Sequence, residues 1–259
     1  MKGIINLPLV PLRNNDSERS EMTSQLLFGE RVEILETRES WLFIRNIADN
    51  YTGWVNRKMI QILSEKDRNK FEEIEIKCIN HPIVECENQD FNERIYLPGG
   101  SKLNSFDSNE VIVGGKTYKI DPVYMPISNE LSGNRLIYLA KKYLNAPYLW
   151  GGKTLMGIDC SGFIQVIYDM CGLQLPRDAS QQVECGKVID FLSEAEAGDL
   201  AFFENMEGKI IHVGMMLNSH QIIHASGWVK IENVDSQGII SSETGEYSHK
   251  LRVVKRLIL

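Results

Sequence analysis

The hydrophobic periodicity of this chain changes once, near Ser128, and that change limits the folds open to it. Between Met22 and Leu63 apolar residues alternate in short runs such as Arg31-Val-Glu-Ile-Leu-Glu, Trp41-Leu-Phe-Ile-Arg and Trp54-Val55-Asn56. Polar turns, among them Ala48-Asp-Asn-Tyr-Thr-Gly53, separate them at close spacing, the pattern of a small β barrel or sandwich. A charged stretch, Ser64-Glu-Lys-Asp-Arg-Asn-Lys, reads as a linker. Further short runs follow at Ile74 to Ile79, Arg94 to Leu97, Val111 to Val113 and Tyr118 to Ile120, broken by Pro98-Gly-Gly and Gly114-Gly115. These read as hairpins of a second, diverged β module.

Beyond Ser128 the period lengthens to that of a helix. Leu136, Ile137, Ala140, Tyr143 and Leu144 form one stripe, stopped by Pro147. Cys160, Phe163, Ile164, Ile167, Met170 and Cys171 form a second, ended by Gly172. Pro176 to Gly186 reads as a third helix capped by Asp178. Strands are expected at Asp199 to Phe203, Ile210 to Leu217, Gln221 to Ala225, Val229 to Asn233 and Lys250 to Ile258. Helices followed by an antiparallel sheet make this half α+β. The expected division is 1–63, 64–127 and 128–259.

Charge and cysteine usage narrow the function. A net charge of −7 and a pI near 5.4 argue against nucleic acid, which wants clustered Lys and Arg. No basic run and no long apolar run suggests contact with a membrane. Five cysteines without a C-x-x-C pair give neither a disulfide framework nor a zinc ribbon, so no metal or cofactor is called for. The N-terminus, with Pro8 and Pro11, lacks a signal-peptide pattern, and a cytoplasmic location is expected.

The chemistry centres on Gly157-Ile-Asp-Cys-Ser-Gly. Cys160 is the first residue of its expected helix, with Asp159 as N-cap. Unpaired backbone N–H groups at a helix start favour the reactive thiolate of a residue whose pKa is ordinarily about 8.5. Period-2 spacing sets His212 on one strand face with Gly214, which leaves room beside an imidazole. His224 lies twelve residues later, a separation suited to two paired antiparallel strands. One ring can take the thiol proton while the other orients it. The plain alternatives are a core cysteine, satisfied strand histidines and a simple helix cap. Cys171 and Cys185 read as core residues, and His220 as part of a turn with Asn218 and Ser219.

Two resemblances bear on these alternatives. Residues 24–55, with Gly29-Glu30, Trp41 and Gly53-Trp-Val, resemble bacterial SH3 (SH3b) domains. Residues 135–230 resemble the NlpC/P60 family of papain-like cysteine peptidases. The motifs are Tyr148-Leu-Trp-Gly-Gly, Gly157-Ile-Asp-Cys-Ser-Gly-Phe, Leu175-Pro-Arg-Asp-Ala-Ser-Gln-Gln, Ala197-Gly-Asp-Leu-Ala-Phe-Phe, Ile211-His-Val-Gly-Met and Ile222-Ile-His-Ala-Ser-Gly. The resemblance implies a papain-like domain, helices packed on an antiparallel sheet, preceded by SH3b-type barrels. It implies Cys160 as nucleophile, His212 as general base and acid, His224 as the polar third residue and Tyr148 near the oxyanion.

The combination also resembles γ-D-glutamyl-diamino acid peptidases that act in cell-wall recycling on small murein peptides with a free N-terminal L-Ala. That implies Asp159, Ser161 and Trp150 as substrate-binding residues, with Glu30 and Tyr51 from the SH3b domain. Glu30 also reads as a solvated strand-edge carboxylate, and Tyr51 as a turn residue packed on its barrel. Arg177 is left between a substrate carboxylate, Asp178 and Asp199. Rival functions are an amidase or acyltransferase on the same core, a wall-binding module, and a metal hydrolase using Cys160, His212 and His224.

Overall fold

The computed structural model describes residues 1–64, 76–104, 110–124 and 131–257, so most of the expected linker lies outside the described residues. The chain separates into two compact units, Met1–Ser128 and Asn129–Leu259.

In the first unit, β1 (Lys2–Ile4), β2 (Leu9–Arg13), β3 (Met22–Leu27), β4 (Arg31–Arg38), β5 (Trp41–Asn46), β6 (Thr52–Asn56) and β7 (Gln61–Ile62) make one antiparallel sheet. Its order is β3-β2-β6-β5-β4-β1-β7. Val10, Leu26, Val32, Leu42, Ile44 and Val55, from strands along its whole width, meet in one core, so the sheet curls on itself. Within the expected module 1–63, the strand signals begin only at Met22, and β1 and β2 are not among them. Pro11 hid the strand signal, and it is tolerated because β2 pairs with β6 only at Arg13.

The same unit continues with β8 (Ile76–Cys78), β9 (Ile83–Asn88), β10 (Glu93–Pro98), β11 (Lys102–Asn104), β12 (Glu110–Val113) and β13 (Lys116–Lys119). They form a sheet β10-β9-β13-β12 and a pair β11-β8. Gly114 and Gly115, at φ of 60° and 78°, supply the left-handed pair that turns β12 into β13. Val84, Leu97, Val111, Val113 and Tyr118 build the core, joined by Ile4 of β1 and by Phe28 and Leu63 beside β3 and β7. Phe28 meets Tyr118 edge to face at 5.0 Å. The Lys102 N–H donates to the Phe28 carbonyl at 2.7 Å.

The second unit holds α1 (Gly133–Lys141), the hairpin β14 (Lys153–Thr154) and β15 (Gly157–Ile158), α2 (Cys160–Asp169) and a short α3 (Ala179–Gln182). β16 (Lys187–Ile189), β17 (Leu200–Glu204), β18 (Ile210–Asn218), β19 (Gln221–Ser226), β20 (Trp228–Val234), β21 (Gly238–Ile240) and β22 (Tyr247–Arg256) follow. The sheet runs β16-β22-β17-β18-β19-β20-β21, and β21 pairs again with β22. Six strands therefore close into a barrel, with β16 attached at its side. Phe203, Met216, Ile222, Val234, Ile239 and Val254 fill one part of it, and α2 lies against β18 and β19.

The third helix is one turn rather than the expected span from Pro176 to Gly186. Arg177 and Gln182 are recruited as buried tethers instead. Gln182 Nε2 donates to the carbonyls of Ser161 (3.0 Å) and Pro176 (2.8 Å), which ties this segment to the start of α2.

Candidate active site

Cys160 opens α2, and Asp159 caps that helix by accepting the Gly162 N–H at 2.7 Å. Asp159 does far more than cap. Its Oδ2 accepts the Gly151 N–H at 2.8 Å, which folds the loop after Tyr148 onto the helix start. Arg177, 1% exposed, grips both oxygens of Asp159, Nη1 to Oδ1 at 3.0 Å and Nη2 to Oδ2 at 2.5 Å. Its Nη1 also donates to Ser161 Oγ at 2.9 Å. The structure thus gives Arg177 a partner outside the alternatives left open for it, Asp159. Asp199 is taken by Arg256.

The histidines lie on adjacent antiparallel strands, β18 and β19. His224 pairs directly with Gly214, so His212, two residues earlier, is its diagonal neighbour on the same face. A Cβ on Gly214 would come within 2.9 Å of His224 Cβ and 2.6 Å of Ile222 Cδ1. The absent side chain leaves the space that Ile222 and the Cβ of His224 fill. His212 Nε2 lies 2.9 Å from His224 Nδ1, and His224 Nε2 lies 2.9 Å from Glu232 Oε2. Both ring nitrogens of His224 are thereby engaged. A third ring, His249 of β22, stacks on His212 at 4.2 Å and 28°.

Electrostatics decide the resting protonation. Burial, then the Asp159 carboxylate, pushes the Cys160 thiol up to about 11 against hydrogen bonds from the backbone of Val213 and Ser161. Val213 follows His212, so the thiol sits beside the strand position that carries the imidazole. Burial and the neighbouring His249 and His224 rings hold His212 well below its ordinary value. The resting pair is a neutral thiol and a neutral imidazole. Burial beside Asp159 thus opposes, at Cys160, the thiolate that the helix start favours. Burial, followed by the nearby Cys160, raises the Tyr148 phenol to about 12, so it remains a hydrogen-bond donor in the same neighbourhood.

Comparison with known proteins identifies what each part of the chain is similar to. Residues 145–247 match the NlpC/P60 family and residues 12–60 match the bacterial dipeptidyl-peptidase Sh3 domain. The chain contains an NlpC/P60 domain and a bacterial dipeptidyl-peptidase SH3 domain. It is similar to the gamma-D-glutamyl-L-lysine dipeptidyl-peptidase of Bacillus subtilis (strain 168), at 28% identity over 78% of this chain and 71% of that protein. The protein of that name from Bacillus cereus (strain ATCC 10987 / NRS 248) is 27% identical over 87% of this chain and 74% of its own. In fold it is similar to the crystal structure of a NlpC/P60 family protein from Bacillus cereus ATCC 10987. That likeness has a TM-score of 0.86, covers 99% of both chains and carries 18% identity. The protein is a cysteine-type peptidase.

Within the NlpC/P60 domain, Cys160, Asp159, Ser161, His212 and His224 are all buried, and Trp150 is 60% exposed. Among the described residues no cluster of three or more His, Cys, Asp or Glu could hold a metal. Cys171 is a core residue, whereas Cys185 is partly exposed rather than buried.

In the SH3 domain Glu30 is not a solvated edge carboxylate. It is 3% exposed, and its Oε2 accepts the Leu27 N–H at 3.0 Å and the Asn46 Nδ2 at 3.5 Å. The Asn46 N–H in turn donates to the Tyr51 carbonyl at 2.8 Å, so the two SH3 residues are neighbours through Asn46. Tyr51 packs on the barrel core. Sequence reasoning missed Glu232 and His249. Neither lies in a motif, and in a strand reading Lys-Ile-Glu-Asn nothing separates Glu232 from a surface carboxylate.

Proposed function

We propose that this peptidase hydrolyses the amide bond between γ-D-glutamate and a diamino acid in small murein peptides with a free N-terminal L-Ala, within cell-wall peptide recycling. The placement of Cys160 at the start of α2, beside the strand bearing the paired His212, carries the chemistry. His212 takes the thiol proton as sulfur attacks the carbonyl carbon, so a neutral resting pair ionises only as the bond forms. The tetrahedral oxyanion is met by the Tyr148 hydroxyl and backbone N–H groups at the helix start. His212 returns the proton to the leaving amine, and a thioester remains on Cys160. A water molecule, deprotonated by His212, hydrolyses it.

The names of both relatives, and of the SH3 domain matched here, describe dipeptidyl-peptidases, enzymes that remove two residues from a chain end. L-Ala-γ-D-Glu is such a unit. In this reading Asp159 and Ser161 hold the alanine end, Glu30 and Tyr51 are assigned to substrate binding as well, and Trp150 offers an apolar face to the peptide. Asp159 is already charge-balanced by Arg177. An incoming ammonium therefore needs a further acidic partner, the role this reading gives to Glu30. The test is turnover of L-Ala-γ-D-Glu-L-Lys against its N-acetylated form. Cleavage of the free peptide alone supports the reading, and equal turnover of both refutes the chain-end requirement.

A further inference from the structure

We propose that Glu232 is a positioning residue that fixes the proton order of the histidine chain, so that His212 presents an unprotonated Nδ1 to the Cys160 thiol. The inference rests on the reading of His212 as general base, and it adds the group that makes this base face the right way.

Three register levels lead into the barrel of the second unit. His212 pairs with Phe203 at the first. Gly214, His224 and Lys230 share the second, and Met216, Ile222 and Glu232 share the third. The hydrogen-bonded series His212, His224, Glu232 thus steps diagonally across three neighbouring strands, one level deeper each time. Its end lies level with Met216 and Ile222, members of the apolar core cluster. Glu232 is 3% exposed. A packing role would not select a carboxylate at that depth, because an unpaired buried charge costs several kcal/mol, roughly.

The carboxylate is held rather than merely tolerated. Its Oε1 accepts the Ser242 N–H at 2.8 Å, the Ser242 Oγ–H at 2.9 Å and Lys230 Nζ at 3.3 Å. Oε2 is left to His224. Burial opposes its ionisation, but hydrogen bonds from His224 and Ser242 prevail and bring it to about 2. It is therefore ionised at every pH at which the enzyme would work.

An ionised carboxylate can only accept hydrogen bonds, and the consequence travels outward. His224 must carry its proton on Nε2 to donate to Glu232. As a neutral ring it then has a lone pair on Nδ1, which accepts from His212 Nε2–H. His212, neutral in turn, is left with its lone pair on Nδ1. When the thiol proton moves to that nitrogen, both N–H bonds of the imidazolium are used. One runs back toward the reacting centre, and the other points through His224 toward the Glu232 charge. Glu232 is not protonated at any step. With His212 in the opposite tautomer, Nδ1 would carry a hydrogen and could not act as base.

Two measurements on the full-length protein test this. Nitrogen-15 NMR of the histidine rings should find His212 protonated on Nε2 and bare on Nδ1. A resting Nδ1–H tautomer would overturn the proposal without any variant. The second is carbamidomethylation of Cys160 by iodoacetamide, followed peptide by peptide so that Cys185 does not interfere. Glu232→Gln, which keeps shape and burial but offers a donor as well as an acceptor, should slow this reaction about tenfold or more near neutral pH. It should also alter the pH profile and leave a mixture of His212 tautomers, with the melting temperature near that of the parent. A parent-like rate and pH profile would overturn the proposal. Hydrolysis of the tripeptide plays no part in either readout, so failure of the substrate reading stays distinguishable from failure of this one.

Discussion

Asp159 and Glu232 are both buried carboxylates of the same unit, yet they are matched to different partners and do different work. Asp159 is locked to a guanidinium by two parallel hydrogen bonds and to two backbone N–H groups. That cluster sets shape: the cap of α2, the loop after Tyr148 and the orientation of Ser161. Glu232 is matched to an imidazole that leads to a second imidazole. Lys230 also reaches it, and its main partner is a ring whose two nitrogens can exchange donor and acceptor roles. The difference teaches that burial alone does not assign a role. A carboxylate paired with arginine fixes geometry, and one paired with histidine fixes the direction in which protons move.

The sharpest way to break this comparison is to remove one partner from each cluster. Arg177→Met strands the Asp159 charge and should destabilise the second unit by about 3–5 kcal/mol in urea unfolding. Glu232→Gln leaves no bare charge and should cost less than about 2 kcal/mol while harming Cys160 reactivity more. Equal stability losses would erase the distinction.

Acidification should act mainly through the histidine side. Burial, followed by the His224 ring, holds His249 at about 4 against the usual 6.5, and His212 is also lowered. The unfolded chain therefore binds protons first between those values. The stability is fully present above about pH 6.5 and is lost as pH falls through about 4. Glu232, at about 2 against 4.5, adds a further loss below pH 4.5. A denaturation midpoint that stays flat from pH 7 to pH 3, roughly, would contradict these environments.

Two glycines compare the clusters more gently. A Cβ on Gly162 would meet the Gly152 carbonyl oxygen at 2.4 Å, whereas one on Gly214 would meet the movable Ile222 Cδ1 at 2.6 Å. Both alanine variants should lose about 1–3 kcal/mol of stability, Gly162→Ala the more, because backbone cannot yield as a side chain can. Gly214→Ala should instead displace His224 and slow iodoacetamide modification of Cys160. The smallest effect belongs to Ser242→Ala, about 1 kcal/mol in unfolding, since the Ser242 N–H and Lys230 still hold Glu232.

Much of this molecule could be read from its residues, and the reasons for the remainder are physical. The helix opening at Cys160 followed from Asp159 and the stripe behind it, and the two-strand placement of the histidines followed from period 2 and Gly214. The closure of the barrel did not, because β21 spans only Gly238 to Ile240 and is too short to show a period. The partner of Arg177 was unreadable because eighteen residues of chain separate it from Asp159. The opposing effect of burial on the Cys160 thiol is unreadable, because a helix start is visible in sequence and burial is not. Glu232 escaped notice for the same reason: polarity alternation cannot tell an inward carboxylate from an outward one.

The central claim is that Cys160 forms the bond to the substrate acyl group. Incubation of Cys160→Ala with L-Ala-γ-D-Glu-L-Lys, beside the parent protein and with folding checked by circular dichroism, tests it most directly. The parent should release L-Ala-γ-D-Glu and lysine, and the folded variant should release neither. Release of both by the folded variant would contradict the account.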